Sequence, residues 1–364
     1  MKKLITGISV LALFACGGNG ENKQGEMYSG ETKKSEEPKE EKHLANIKQL
    51  TFGGNNAEAY WSFDNTKLVF QSDYSNWGNK CDQIYMMPID QDLNDTNTIP
   101  QLISTGKGRT TCSYFMPGDT TIIYASTHLG GDACPVDPPR GEKYVWPIHS
   151  TYDIFVADLK GNMKQQLTFR DGYDAEATVS PKGDLIVFTS DRSGDLELYT
   201  MKIDGSDVKQ VTTELGYDGG AFFSPDGTKL IFRSSRPRTE LEKKEYKELL
   251  AKGLVQPTNM ELFVCNVDGS DMKQITNLGG ANWAPFFHPG GEKVIFSSNH
   301  KTKSFPFNLF MINLDGSGLE QITYDKAFDS FPMFSPDGTK LVFSSNRDNG
   351  GGRATNMFYA DWVE

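Results

Sequence analysis

One unit of sequence is written six times in this chain, and it is interrupted at both ends. The fullest copy runs Ser180-Pro181-Lys182-Gly183, Leu185 to Phe188, Glu197 to Met201 and Lys209-Gln210-Val211-Thr212, with polar turns between the pieces. The copies start at Ser62, Met116, Ser180, Ser224, His288 and Ser335, at intervals of 54, 64, 44, 64 and 47 residues. A repeat of about 40 to 50 residues carrying four short strands is the mark of a propeller blade. Gln49-Leu50-Thr51 precedes the first complete unit, and the last unit, Phe331 to Trp362, lacks that piece. Each end completes the other. The expectation is an all-β, six-bladed β-propeller, its ring closed by the N-terminal strand pairing with the last blade.

The strand reading is physical as well as repetitive. The second strand of each unit is an apolar run: Leu68-Val69-Phe70, Ile122-Ile123-Tyr124, Leu185 to Phe188, Leu230-Ile231-Phe232, Val294-Ile295-Phe296 and Leu341-Val342-Phe343. Short β-branched or aromatic runs suit a strand covered on both faces, as between two blades. Pro225-Asp226-Gly227 and Pro336-Asp337-Gly338 join strands one and two. Asp204-Gly205, Asp268-Gly269 and Asp315-Gly316 join strands three and four. Pro and Gly there supply the fixed and the positive φ that tight turns need.

The N-terminus reads as three parts. Residues 1–15 form a lipoprotein-type signal, Met1-Lys2-Lys3 followed by an apolar stretch too short to span a membrane. Leu13-Phe14-Ala15-Cys16 is similar to a bacterial lipobox, which implies lipid on Cys16. Residues 16–45 are polar and charged, the composition of a flexible tether. Residues 46–364 hold the ring. The formal charge of −11 becomes −13 once Lys2 and Lys3 are removed, which argues against a nucleic-acid partner. Four cysteines then remain in a disulfide-permissive compartment. Cys265 reads as a small buried apolar residue. Cys112 with Cys134 is the preferred pair and Cys81 the competing partner; three pairings stay open.

Propeller topology sorts the loops by face. The short copied turns all fall on one face, and every irregularity falls on the other. Two insertions account for the long intervals, Thr127 to Thr151 and Pro237 to Pro257. In the second, Thr239-Glu240-Leu241-Glu242 reads as a capping box opening a helix, with Leu241, Tyr246, Leu249 and Leu250 as its packed stripe. On the same face, residues just before each first strand are expected to crowd the channel mouth: Glu58, Arg109, Asp174, Glu176, Asp218, Trp283 and Asp329. His128, Arg192, His300 and Arg347 would sit outside them, and His149 maps to this face too. Asp174, Glu176, Asp218 and Asp329 could hold a divalent cation such as calcium, because hard cations take oxygen ligands. Arg109, Arg192 and Arg347 could grip a peptide or a carboxylated saccharide. The chain has no Gly-x-Ser-x-Gly elbow and no His-Glu-x-x-His, so no motif names a reaction.

Phe223-Ser224-Pro225-Asp226-Gly227-Thr228-Lys229-Leu230-Ile231-Phe232 and its copy from Phe334 to Phe343 resemble the WD40-like (PD40) repeat of the TolB family. So do the Gln-x-Thr pieces Gln166-Leu167-Thr168 and Gln321-Ile322-Thr323. The resemblance covers Ile47 to Trp362. It implies a propeller in the bacterial envelope, in a family whose best-known member is a periplasmic part of the Tol–Pal system that binds envelope proteins. This chain lacks the α/β domain that precedes that propeller. Similar repeats form the cap of prolyl-oligopeptidase-type enzymes, and oligogalacturonate lyases, which resemble the chain more loosely, place a metal and histidines on such a face. Three functions follow as expectations. The first is a lipid-anchored envelope scaffold binding a protein or peptide through its loop-rich face. The second is a metal-dependent lyase or hydrolase on a polysaccharide or peptide, with Asp174, Glu176, His128, His300 and Arg192 engaged. The third is a structural subunit of a secretion or transport assembly.

Overall fold

The computed structural model describes residues 40–91 and 98–364. The signal segment, Cys16 and most of the tether lie outside the described residues. The ring consists of six four-stranded antiparallel sheets. Blade one is Asn56–Trp61, Lys67–Ser72, Gln83–Pro88 and Gln101–Leu102. The inner strands of blades two to six are Thr110–Phe115, Asp174–Val179, Asp218–Phe223, Asn282–Phe287 and Asp329–Phe334. Blade six takes its outermost strand from the N-terminus: Leu44–Gln49 pairs antiparallel with Asn356–Trp362, Leu44 opposite Trp362 and Gln49 opposite Phe358. The closure read from the split repeat is therefore present. It begins two residues before the expected boundary, and His43, placed in the tether by sequence, stacks on Trp362 with ring centroids 5.0 Å apart.

Each repeated motif has a structural task. The apolar core of every second strand is fully buried, which stabilises each large side chain by about 1.5–3 kcal/mol. Its aromatic residue faces another across the ladder in all six blades. The pairs are Phe70 with Tyr85, Tyr124 with Phe155, Phe188 with Tyr199, Phe232 with Phe263, Phe296 with Phe310 and Phe343 with Phe358. Their centroids are 5.9–6.1 Å apart. Such cross-strand pairs fix register.

The Gln-x-Thr piece repairs the point where the short fourth strand leaves the third. The Thr168, Thr212, Thr276, Thr323 and Thr51 hydroxyls accept the amide of Ile154, Leu198, Leu262, Leu309 and Met357 at 2.8–2.9 Å. Ser104 does the same for Ile84. The Gln amide donates to the Thr carbonyl, as from Gln166 to Thr168 at 2.8 Å. In the turns, Ser224 Oγ donates to Asp226 Oδ1 at 2.6 Å, and that oxygen also accepts the Thr228 amide at 3.0 Å.

The second insertion forms the expected helix, Glu240–Leu250, with both halves of its capping box made. Its packed stripe is narrower than expected. Tyr246 is buried and Leu250 packs against the ring, whereas Leu241 is 66 % exposed. The Tyr246 hydroxyl donates to Asp195, and this polar tie fixes the helix where an apolar stripe was expected to.

Candidate functional site

The inner strands carry three successive rings of side chains, and each ring has a different job. Six residues before every turn start lie Asn56, Thr110, Asp174, Asp218, Asn282 and Asp329, all buried. They face the serine that ends the second strand of their own blade: Ser72, Ser126, Ser190, Ser234, Ser298 and Ser345. Two residues beyond that serine stands Arg192, Arg236 or Arg347 where the inner residue is Asp, and His or Tyr where it is Asn or Thr. Arg236 takes both oxygens of Asp218, at 2.6 and 2.9 Å. Arg347 reaches Asp329 at 2.7 Å, and Arg192 reaches Asp174 at 3.1 Å. In blade five the uncharged equivalent is Asn282–Ser298–His300, with Ser298 Oγ 2.6 Å from Asn282 Oδ1 and 2.9 Å from His300 Nδ1. His128 meets Ser126 at 2.9 Å in blade two. These groups also cap the aromatic pair beneath them, Arg192 over Phe188 and Tyr199, Arg347 over Phe343, and His128 and His300 over Phe155 and Phe310.

This ring corrects three expectations. Asp174, Asp218 and Asp329 are each fully buried against an arginine of their own blade, so they do not line the channel beside Glu176. Among the described residues, no group of three His, Cys, Asp or Glu is placed to hold a metal ion. The four carboxylates therefore do not fit a calcium site. Arg192 and Arg347 are committed to Asp174 and Asp329, so the anion grip does not form, and His128 and His300 are held by serines of different blades. Arg109 is occupied as well: its Nη1 donates to Asp137 Oδ1 at 2.8 Å, and His149 Nε2 lies 3.1 Å from the same oxygen. It anchors the first insertion.

Two residues further along each inner strand the ladder slips, and the backbone turns left-handed. The residues are Glu58, Cys112, Glu176, Gly220, Ala284 and Phe331, with φ between 45° and 58°. The slips fall at the same place in all six blades. A β-bulge of this kind re-aims a side chain, here into the channel. Only Gly220 takes that conformation without strain; each of the others costs on the order of 1–2 kcal/mol.

A further two residues on, Tyr60, Tyr114, Phe222 and Phe286 close the channel. Tyr60 and Phe222, from opposite blades, stack at 5.9 Å, Tyr114 lies 5.5 Å from Tyr60, and Phe286 lies 5.2 Å from Phe222. The loop-face side is thus a dead-end chamber of about 370 Å³. On the turn face the same aromatics floor an apolar pit of about 200 Å³.

The insertions roof the chamber by joining each other, which the sequence did not disclose. Trp146–Pro147 pairs antiparallel with Leu254–Val255. Trp146 packs on Trp283 at 5.3 Å, and the Trp283 indole donates to Pro257 O at 2.9 Å. The first insertion is stapled to blade one by Cys81–Cys134, with Cα atoms 6.1 Å apart. This overturns the preferred Cys112–Cys134 pair in favour of the competing partner. The bulge turns Cys112 inward to the channel, away from the loop that carries Cys134, and Cys112 and Cys265 are free.

Inside the chamber one ion pair is closely bonded on the carboxylate side, while Arg233 Nε has no partner among the described residues. Glu176 Oε1 accepts from Arg233 at 2.6 Å and from the Tyr217 hydroxyl, while Oε2 accepts from Thr189 at 2.7 Å and the Gly220 amide at 2.8 Å. Gly219 and Gly220 make room for it: a Cβ on Gly220 would stand 1.9 Å from Arg233 Nη1, and one on Gly219 2.3 Å from Glu176 Oε2. Glu58 differs. Its Oε2 takes the Cys112 thiol at 3.1 Å and the Tyr60 hydroxyl at 3.4 Å, and among the described residues no cation hydrogen-bonds it. Burial pushes the Glu58 carboxyl above its ordinary 4.5, against the pull of the Cys112 thiol and Arg233. Burial, with the Glu58 charge, pushes the Cys112 thiol well above 9.0, so it stays protonated and donates.

Of the sequence candidates, the structure brings Glu58, Glu176 and Trp283 to the chamber. Sequence reasoning missed Cys112 as a channel residue. Superposing the six copies on their turn starts would have found the bulge ring, which always lies four residues earlier and never repeats its chemistry.

Residues 133–254 and 254–355 match the family model described as the TolB beta propeller domain, PD40. The chain belongs to the TolB β-propeller family. Among solved structures it is similar to a putative TolB from Agrobacterium tumefaciens, at 18% identity and TM-score 0.55, covering 85% of this chain and 91% of that one. It is similar to TolB from Acinetobacter baumannii at 18% identity and TM-score 0.52, covering 86% of this chain and 64% of that one. Hydrazine synthase of Kuenenia stuttgartiensis shares the fold at 13% identity and TM-score 0.51, over 74% of this chain and 39% of that one. At such identities the likeness is one of fold, and fold alone carries no function.

Proposed function

We propose that this protein is a lipid-anchored propeller of the bacterial envelope that binds a protein or peptide through its loop face. One observation carries the reading: the two long insertions gather on that face and build a single object, a stapled and interlocked roof over a chamber. A loop of this length that is pinned at several points is a functional element more often than a decoration. The groove beside the roof supports it too. This groove has a volume of about 990 Å³, runs between blades five and six, and shares Tyr144, Trp283 and Phe328 with the chamber. Tyr144 and Phe305 expose more than half of their surface there. Exposed aromatic side chains at the rim of a groove are the usual anchors of a protein interface.

Lipid on Cys16 and a flexible stretch after it would hold the ring at a membrane; among the described residues no helix is long and apolar enough to cross one. Crosslinking in intact cells from residues placed on the groove rim, followed by mass spectrometry, tests the reading. The expected result is one dominant partner, lost when Tyr144 and Phe305 are replaced by Ser. A spectrum of unrelated neighbours that is unchanged by these substitutions refutes it. Labelling with a radioactive fatty acid, abolished by Cys16→Ser, tests the anchor.

A further inference from the structure

We propose that the carboxylate of Glu41 is a self-supplied plug in a carboxylate-binding site at the edge of the groove between blades five and six, and that a carboxylate of a partner segment lying in that groove takes its place. The inference rests on the binding role proposed above. It names the chemistry of the partner and the contact that holds it off.

Three hydrogen bonds define the site around one carboxylate. Arg347 donates from Nη1 to Glu41 Oε2 at 3.1 Å and from Nη2 to Glu41 Oε1 at 3.4 Å, and the Tyr324 amide donates to Oε1 at 3.0 Å. The arginine is fixed independently of Glu41. Its Nε donates to Ser345 Oγ at 3.2 Å, its Nη2 to Asp329 at 2.7 Å, and its guanidinium lies 5.0 Å from the Phe343 ring centroid. With the side chain only 7 % exposed, it is a preorganised fork matching the two oxygens of a carboxylate. The three-arginine grip does not form, yet this one arginine has donors left after Asp329 is satisfied.

A comparison of blades shows that the plug is foreign to the ring. Arg236, the equivalent arginine of blade four, meets a second carboxylate too, and takes it from the preceding blade: Nε donates to Glu214 at 3.2 Å, two residues after Thr212. Two residues after Thr323 the same position holds Asp325. Asp325 is not what fills the site on Arg347; it lines the groove, as Arg347 does. The place is taken instead by Glu41, from the stretch that reads in the sequence as tether.

The plug can leave without opening the ring. Glu41 stands three residues before the closing strand, whose ladder begins at Leu44. The segment is held by the Leu44 amide on Glu41 O at 2.8 Å, by Lys42 on Glu320 at 2.6 Å, and by His43 Nδ1 at 2.7 Å from Val363 O. Lys42 is mostly exposed, and exposed pairs hold weakly. What favours Glu41 is proximity, worth a local concentration on the order of millimolar. Its departure bares two guanidinium nitrogens and an amide, all donors. An apolar or cationic group would leave them unpaired, and a carboxylate satisfies them.

The test uses the purified full chain and three small probes: the N-acetyl, N-methylamide derivatives of glutamate and glutamine, and N-acetylalanine as a chain end. Occupancy is read from the NMR chemical shift of the Tyr324 amide. Glu41→Gln empties the site with little change of shape, and Glu41→Ala stands in should the first variant fail to fold. Each is also combined with Asp325→Asn, which keeps the groove carboxylate from filling the vacancy. The glutamate derivative is expected to shift the Tyr324 amide at concentrations at least about tenfold lower in the Glu41 variants than in the parent, the worth of a hydrogen bond to a charged group. A stronger response to N-acetylalanine assigns the carboxylate to a chain end, and a stronger response to the glutamate derivative assigns it to an acidic side chain. Equal titrations of parent and variants, or a response to the glutamine derivative as strong as to the glutamate one, overturn the inference. In intact cells Glu41→Gln should raise the yield of the partner crosslinked from the groove rim. An unchanged yield removes the plug while the binding role of the loop face stands. Loss of all specific capture, from parent and variant alike, removes that role.

Discussion

Two rings of the same six inner strands, two residues apart, obey opposite rules. In the clasp ring the chemistry repeats with the backbone: Asp174, Asp218 and Asp329 have Arg192, Arg236 and Arg347, whereas Asn282 and Thr110 have His300 and His128. In the bulge ring the backbone repeats and the chemistry does not: Glu58, Cys112, Glu176, Gly220, Ala284 and Phe331 share one conformation and no side-chain type. A residue with a structural task is copied along with its partner. A residue that faces a cavity is free of that constraint, and the bulge ring varies accordingly.

The comparison breaks most visibly if a clasp loses its cation. Arg347→Ala leaves Asp329 buried and unpaired, and about 3–5 kcal/mol of stability should disappear in denaturant melts. His300→Ala removes the uncharged equivalent and should cost only about 1 kcal/mol. Equal losses at the two sites would mean that the arginines contribute packing over the aromatic pairs and little charge balance.

Next in size is the staple. Cys134→Ser, or reduction of the parent, opens a loop of 53 residues and should lower stability by about 2–4 kcal/mol. It should also loosen the roof, seen as faster amide exchange at Trp146 and Val255. The glycine of the bulge ring gives a smaller effect of fixed sign. Gly220→Ala drives a Cβ to 1.9 Å from Arg233 and should destabilise by about 1–3 kcal/mol. Glu58→Gly should stabilise by about 1 kcal/mol.

Further effects appear in the pH profile. Glu197 is 2 % exposed, and one of its oxygens has no partner among the described residues. Burial, with the nearby Asp218 and Asp195 charges, pushes its carboxyl up to about 8 from an ordinary 4.5. A raised folded value means stability fully present below pH 4.5 and lost progressively as pH rises through 8. Glu197→Gln should flatten that decline in melts between pH 5 and pH 8. The turn aspartates behave in the opposite sense. Hydrogen bonds from Ser224 and Thr228 hold Asp226 below its ordinary 3.8, and those from Ser335 and the Thr339 amide hold Asp337 there too. Their stabilisation is present above pH 3.8 and is lost as the solution is acidified below it. Asp226→Asn should remove a small part of that acid sensitivity.

The site was legible only in part, and the bulge is the reason. Asp174 and Glu176 were both expected at the channel mouth from their place at the first strand, and strand alternation would put them on one face. The left-handed turn at Glu176 breaks the alternation, so Asp174 points to Ser190 and Arg192 in its own blade while Glu176 enters the chamber. The same turn at Cys112 withdrew it from the expected disulfide and delivered Cys134 to Cys81. Nor could two insertions separated by a whole blade be read as partners, because Trp146–Pro147 and Leu254–Val255 meet only once the ring has curved them together.

The sequence by itself determined the six blades, their closure by the N-terminal strand, the division into a copied face and an irregular face, and the capped helix. All of these follow from local rules, turn residues and apolar runs, repeated until they add up to a ring. The tertiary structure decided which polar residues are consumed by the fold and which are left over. That choice depends on where a side chain points after a change in backbone hand, and on which partner lies within about 3 Å of it. Neither is written in the spacing of a single strand.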